Sequence, residues 1–301
     1  MIPKRNKKQS LNRRRQYLLY YSIIRLIPDP IKRLLRTIYY VPIDIIDNLR
    51  GRDDLTPPRS LITGSRPADF KNIGEEFKKY FLELGCLEPN NRVLDVGCGI
   101  GRMAVPLTSY LSSTGEYYGF DIDQRGIEWC QKQITPRFNN FHFQRPDIYN
   151  KFYNANGKYH AHEYKFPYKD NYFDFVILYS VFTHLLPGDL GNYLSEISRV
   201  LRPGGRCLTT FFLLNNETEP LIQSGVSAFD FKFTFDGYAT IDKDTPEGAI
   251  AYDEKPTREL YKQNGLDIME PIRFGWWCGR DAFKSFQDII VASKQHTSCF
   301  A

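Results

Sequence analysis

Short apolar runs and helical spacings alternate along this chain from residue 92 onward. Val93, Leu94 and Val96 form a β-branched and aliphatic run of the kind a buried parallel strand shows. Glycines follow at 97, 99 and 101, and Met103, Val105, Leu107, Tyr110 and Leu111 then fall at helical spacing. Tyr117 to Phe120 predicts a second strand, with a helix from about Arg125 to Ile134 and a third strand through Phe141 and Phe143. Phe173 to Tyr179 is a continuous apolar strand, Leu190 to Leu201 a helix stopped by Pro203-Gly204-Gly205, and Cys207 to Leu214 a fifth strand. Leu266–Phe274 and Asp288–Ser293 supply two more. Strands and helices alternating at this spacing predict an α/β fold: a doubly wound, seven-stranded, mostly parallel sheet with helices on both faces.

The residues before this alternation read differently. Asp69 is placed to cap a helix through Phe70, Ile73, Phe77, Tyr80, Phe81 and Leu84, ending near Gly85. Before it, Ile31, Leu34, Leu35, Ile38 and Tyr39 fall on one helical face, with Lys32, Arg33 and Arg36 opposite. Such a basic amphipathic helix either docks its apolar face on the core or lies in an anionic membrane interface. Residues 1–15 are a basic run, and the apolar run Tyr17–Ile27 is too short to span a bilayer, which takes roughly 20 residues. Pro28-Asp29-Pro30 follows where a signal peptide would place small residues. The division expected is a basic helical arm over 1–55 and a body over 56–301, with a core at 90–214 and an insertion at 215–255. In that insertion Phe229, Phe231, Phe233 and Phe235 alternate before Asp236-Gly237, a hairpin signal.

Charge sharpens this division. The net +5 of the 301 residues conceals 13 Lys and Arg against 3 Asp in residues 1–52, so the remainder is net acidic. Six cysteines without C-x-x-C spacing argue for reduced thiols and a cytoplasmic setting, the arm allowing membrane association. Asn216-Glu217-Thr218 is then a chance match to a glycosylation acceptor.

The glycine turn carries the chemistry. Its spacing is Gly-x-Gly-x-Gly, whereas a dinucleotide fingerprint sets its last two glycines three apart. Asp95, inside the strand, would repel a pyrophosphate and attract a ligand with ammonium and sulfonium charge. That favours S-adenosyl-L-methionine over NAD. The helix after the turn is expected to offer unpaired N–H groups to the ligand. Asp121, ending the second strand, is placed to accept both ribose hydroxyls, with Asp123 the better helix cap.

The stretch Val93-Leu94-Asp95-Val96-Gly97-Cys98-Gly99-Ile100-Gly101 resembles the first motif of the class I S-adenosylmethionine-dependent methyltransferases, which have a Rossmann-like fold. Phe173 to His184 and Arg199-Val200-Leu201-Arg202-Pro203-Gly204-Gly205 resemble further landmarks of that family. The resemblance implies a cofactor site of Asp95, Gly97, Cys98, Gly99, Gly101, Asp121, Ile122, Asp147, Ile148 and Tyr179. Within it Asp147 would accept from the adenine amino group and Ile148 would pack on the ring. His184, leaving the fourth strand, is the histidine placed to act as general base if the acceptor must lose a proton; the alternative is a loop brace. His160, His162 and Glu163 read as a polar loop rather than a metal site. The Asn/Asp-Pro-Pro-Tyr signature of base-methylating enzymes is missing, which argues against a nucleic-acid partner. A small-molecule or lipid-like acceptor is expected. The rival readings are an NAD-dependent oxidoreductase and a non-catalytic, membrane-docked binding module.

Overall fold

The computed structural model describes residues 29–62, 66–151 and 154–295. The basic run 1–15 and the apolar run Tyr17–Ile27 lie outside them. Seven strands form the main sheet: β1 (Arg92–Val96), β2 (Glu116–Phe120), β3 (Phe141–Gln144), β4 (Phe173–Leu178), β5 (Leu201–Phe211), β10 (Leu266–Ile268) and β11 (Asp288–Lys294). Their order is β10-β11-β5-β4-β1-β2-β3. Strands β1 to β5 run parallel, and β11 runs antiparallel to both of its neighbours. Strand order reverses between β1 and β4, so a crevice opens beyond their carboxyl ends.

Alternation along the strands builds two cores. Val93, Tyr117, Phe175 and Ile177 face α2 (Phe70–Glu83), α3 (Ala104–Leu107) and α4 (Gln124–Gln133), through Phe77, Phe81, Leu107 and Ile127. Leu94, Val96, Val176 and Leu178 face the opposite way, towards Leu190, Leu194 and Ile197 of α5 (Pro187–Val200) and Tyr261 of α6 (Glu254–Gln263). Helices therefore cover both faces, as the alternation predicts.

Some boundaries moved. The helix expected from Met103 to Leu111 is only the four residues of α3. Thr108 and Ser109 donate their hydroxyls to the carbonyls of Val105 and Pro106, which a further helical turn would have used. Asp69 stands at the N-cap of α2 but has helical φ and ψ and makes no side-chain cap; it binds Arg66 at 2.7 Å instead. The fifth strand ends at Phe211, and Leu213–Leu214 (β6) joins a second sheet because Leu213 N–H is drawn to Asp288 at 2.7 Å. The sixth strand is three residues long rather than nine.

That second sheet belongs to the insertion. Its order is β6-β9-β8-β7, with β7 (Phe233–Phe235), β8 (Tyr238–Thr240) and β9 (Ile250–Asp253). Asp236-Gly237 makes the predicted hairpin turn, Gly237 having φ +79°. Phe231 is buried against Phe212 and Trp277, whereas Phe235 is exposed and stacked on Tyr238.

At the other end of the chain, α1 (Asp29–Leu49) is held by polar contacts to residues 52–62. Arg36 donates to the carbonyls of Arg59, Ser60 and Ile62. Asp44 accepts from Arg52 and from the Arg59 N–H at 2.8 Å, and Asp47 pairs with Arg59. The expectation that a docked helix would turn its apolar side to the core is reversed: Ile31, Leu34, Leu35, Ile38 and Tyr39 are exposed.

Candidate active site

Strand β1 delivers Asp95 beneath the glycine turn. The residue is 1% exposed, and Tyr117 of β2 donates its hydroxyl to Oδ2. Oδ1 is buried without a hydrogen-bond partner. Burial pushes the Asp95 carboxyl up to about 7, opposed by the Tyr117 hydrogen bond. A carboxyl held near its protonation point turns into a strong anion once a cation approaches.

The turn itself is pinned to β2. Gly97 and Cys98 donate their N–H groups to Phe120 O at 2.9 and 3.1 Å, and Gly99 N–H donates to Asp121 Oδ2 at 2.7 Å. Gly101 N–H bonds Cys98 O at 2.9 Å. These four amides are therefore engaged within the chain. The first three close the turn onto the end of β2, and the fourth closes the turn on itself. Gly97, Gly99 and Gly101 all have left-handed φ. A Cβ on Gly97 would strike Val181 at 2.4 Å, and one on Gly101 would press Cys130 and Ile134 at 3.0 Å. At Gly99 the nearest atom is Asp121 Oδ2 at 4.0 Å, so that side of the turn is open. Cys98 is buried, its sulfur 2.9 Å from where a Gly119 Cβ would stand, so its thiol faces β2.

Asp121 lies half-buried beside the opening at Gly99. Its Oδ1 accepts Asp123 N–H at 2.7 Å, and each oxygen keeps lone-pair capacity. Burial pushes its carboxyl up to about 6. Ile122, next to it, is half-buried against the core. Asp123 holds the N-cap position of α4 but makes no side-chain cap. Further along, Asp147 is exposed; its carbonyl accepts Lys158 and Tyr159 N–H, and its carboxylate accepts from Asn154 at 3.4 Å. Ile148 is 3% exposed and packs into the core.

Across the crevice, Tyr179 follows β4 half-buried, its ring edge-on to Phe77 at 4.5 Å and 5.8 Å from the Arg102 guanidinium. Ser180 follows with φ +59°, uncommon for a side-chain-bearing residue. Its N–H donates to Thr210 Oγ1 at 2.7 Å, Thr210 donates to Gln287 Oε1 at 2.6 Å, and Gln287 Nε2 returns to Ser180 Oγ at 3.0 Å. Sequence reasoning missed this ring, since its members are 30, 77 and 107 residues apart. It missed Tyr117 too, whose only local signal is its place on the strand beside β1.

His184 leaves this exit half-buried, donating from Nδ1 to Glu247 O in the insertion at 2.8 Å. A carbonyl can only accept, so Nδ1 carries the proton and Nε2 keeps a lone pair. Burial lowers the His184 pKa, which keeps the ring neutral. Tyr252 donates to Leu185 O close by, so the insertion is tied to the β4 exit at two points. His160 and His162 stack at 5.4 Å, and His162 lies 3.7 Å from Asp189. Among the described residues no group of His, Cys, Asp or Glu is arranged to hold a metal.

The donor set suits one kind of ligand: a buried carboxylate with a spare oxygen for a cation, a second carboxylate for hydroxyls, and open space over Gly99. S-adenosylmethionine fits these residues and a pyrophosphate does not. Residues 94–209 match the family model described as a methyltransferase domain. They form a class I S-adenosylmethionine-dependent methyltransferase domain. Over 159 residues the chain is 26% identical to the ubiquinone/menaquinone biosynthesis C-methyltransferase of Pseudomonas entomophila, covering 52% of this chain and 55% of that one. Over 126 residues it is 34% identical to a phthiotriol/phenolphthiotriol dimycocerosates methyltransferase of Mycobacterium ulcerans, covering 42% and 39%. The chain thus spans about half the length, or less, of the curated relatives it matches. A crystal structure from Pyrococcus horikoshii shares the fold of the methyltransferase domain and its flanks, with TM-score 0.52 and 18% identity over 77% of this chain and 93% of that one. The cofactor of the methyltransferase domain is S-adenosylmethionine.

Proposed function

We propose that this chain transfers a methyl group to a small-molecule or lipid-like acceptor by in-line displacement, with its cofactor held at the carboxyl ends of β1 and β2. The observation that carries this reading is Asp95 Oδ1, buried and without a hydrogen-bond partner two residues before the glycine turn. The bound cofactor supplies an already activated methyl group, so positioning and exclusion of water are the main demands on the protein. Asp95 holds positive charge, Asp121 accepts ribose hydroxyls, Ile122 and Tyr179 flank the ligand, and Asp147 lies at the adenine end. His184, proton fixed on Nδ1, offers Nε2 as a base for an acceptor that must lose a proton. Support for an apolar acceptor comes from the aromatic insertion tied to the β4 exit, and from two relatives named for quinone and phthiotriol dimycocerosate substrates. The basic arm, residues 1–52, is assigned by the same reading to an anionic membrane surface.

Titration calorimetry with S-adenosylhomocysteine and with NADH tests the site. Binding of the first alone is expected, and binding of NADH alone would overturn it. A labelled-methyl screen over quinones, phenols and lipids then tests the acceptor class; cofactor binding with no transfer to any of them would favour the binding-module alternative.

A further inference from the structure

Helix α1 is attached to the body by its polar side. Arg36, Tyr40, Asp44 and Asp47 follow one another at spacings of four, four and three, which places them on one face. Arg36, Asp44 and Asp47 grip residues 52–62, and the Arg36 guanidinium sits 5.1 Å over the Tyr40 ring. Diametrically opposite run Leu34, Leu35, Ile38, Ile45, Ile46 and Leu49, all exposed, Ile38 by 61% and Leu49 by 82%. One helix cannot turn both faces to the same body. The specific ion pairs and carbonyl contacts settle which face looks inward, so the apolar stripe is held outward by construction. A contiguous apolar surface of this length is characteristic of an interaction site.

Charge selects the occupant. Residues 1–28, immediately before the helix, contain eight Lys and Arg and no Asp or Glu. Two copies meeting through this stripe would bring two such segments together against their mutual repulsion, whereas an anionic lipid surface would neutralise them. No helix among the described residues is long and apolar enough to cross a membrane. A helix of this amphipathic kind lies in the interface plane with its apolar side among the acyl chains.

We infer that α1 is a membrane-docking device: its apolar stripe inserts into the interface of an anionic bilayer while its polar face fixes the orientation of the methyltransferase domain above it. The lead-in that α1 grips reaches the glycine turn, for Ile62 is buried against Phe70 and Ile100. The cofactor end of the crevice is thereby tied to the docked helix. Delivery of an apolar acceptor from the bilayer to that crevice is the consequence, and this last step rests on the reading proposed above.

The test uses the full chain and co-sedimentation with vesicles of phosphatidylcholine, alone or mixed equally with phosphatidylglycerol. Binding is expected with the mixed vesicles and at least tenfold weaker with phosphatidylcholine alone. The double variant Ile38→Glu, Ile45→Glu alters side chains that face solvent, so its melting temperature and S-adenosylhomocysteine affinity should match the parent. Its vesicle binding should fall at least tenfold and vanish at about 0.5 M salt, where Coulomb attraction is screened. In Leu35→Trp, brominated lipid should quench the new indole on binding. Undiminished binding of the double variant would show that the basic segment acts without the stripe and would overturn the inference. So would equal binding to phosphatidylcholine, an unquenched indole, a parent dimer that the variant dissociates, or a variant with a lowered melting temperature. Failure of the methyltransferase reading would appear separately, as absent S-adenosylhomocysteine binding in solution.

Discussion

The hydroxyl of Tyr117 donates to Asp95 under the glycine turn, joining the first two strands at the point where the cofactor is proposed to bind. Asp95 pairs with Gly119 in the ladder and Tyr117 with Val93, so the bond crosses the strand pair diagonally on one face of the sheet. Tyr117→Phe removes the donor and leaves the buried carboxyl with neither oxygen satisfied by a side chain. The expected loss is about 1–3 kcal/mol of stability, read by chemical denaturation. The same variant should raise the Asp95 pKa further, because the hydrogen bond lowers it.

Protonation of Asp95 also makes stability depend on pH. Its ordinary value is 3.8 and its folded value about 7, so between them the folded state holds a proton that the unfolded chain has lost. Stability should therefore fall as pH rises from about 4 towards 7 and level off above about 8. Asp121 and Asp288, both pushed up to about 6, contribute with the same sign at lower pH. Thermal melts across this range should show the slope, and Asp95→Asn should flatten its upper part. If the ammonium of the cofactor meets Asp95, S-adenosylhomocysteine affinity should rise through the same window.

Asp121 both closes the turn and faces the opening. Asp121→Ala should weaken S-adenosylhomocysteine binding by about 1.5–3 kcal/mol for each charge-assisted bond lost, more than tenfold, as read by calorimetry. Affinity equal to the parent would place the ribose elsewhere.

His184 separates two roles. With an acceptor that must lose a proton, His184→Ala should lower turnover by roughly 10²–10⁴ while S-adenosylhomocysteine affinity is kept. Unchanged turnover with reduced thermal stability would make the contact to Glu247 a brace.

Asp288 gathers Leu213 N–H, Gly275 N–H, Trp277 Nε1 and Arg280 in a fully buried position. Asp288→Ala strands the two backbone N–H groups and the Trp277 indole and leaves Arg280 to Glu217 and Asn215, and a loss of about 3–5 kcal/mol is expected in urea unfolding. The second sheet should loosen first, because Leu213 enters it from this carboxylate.

What the sequence by itself determined is local. The order of strands and helices, the glycine turn with Asp95 before it, and Asp121 at the next strand end all follow from spacing within a few residues. The Asp236-Gly237 hairpin is legible for the same reason, since a two-residue turn encodes its own φ requirements. Tertiary structure decided whatever joins distant positions: Tyr117 on Asp95, Gln287 with Thr210 and Ser180, Asp288 beneath β6, and His184 held by Glu247. No spacing rule reaches across more than twenty residues, because those partners are set by strand register and loop packing. Helix α1 shows the limit most plainly. Its periodicity specifies two faces but not which of them meets the protein. That choice fell to the polar face, because residues 52–62 present it with backbone carbonyls, N–H groups and arginines that an apolar face could not satisfy.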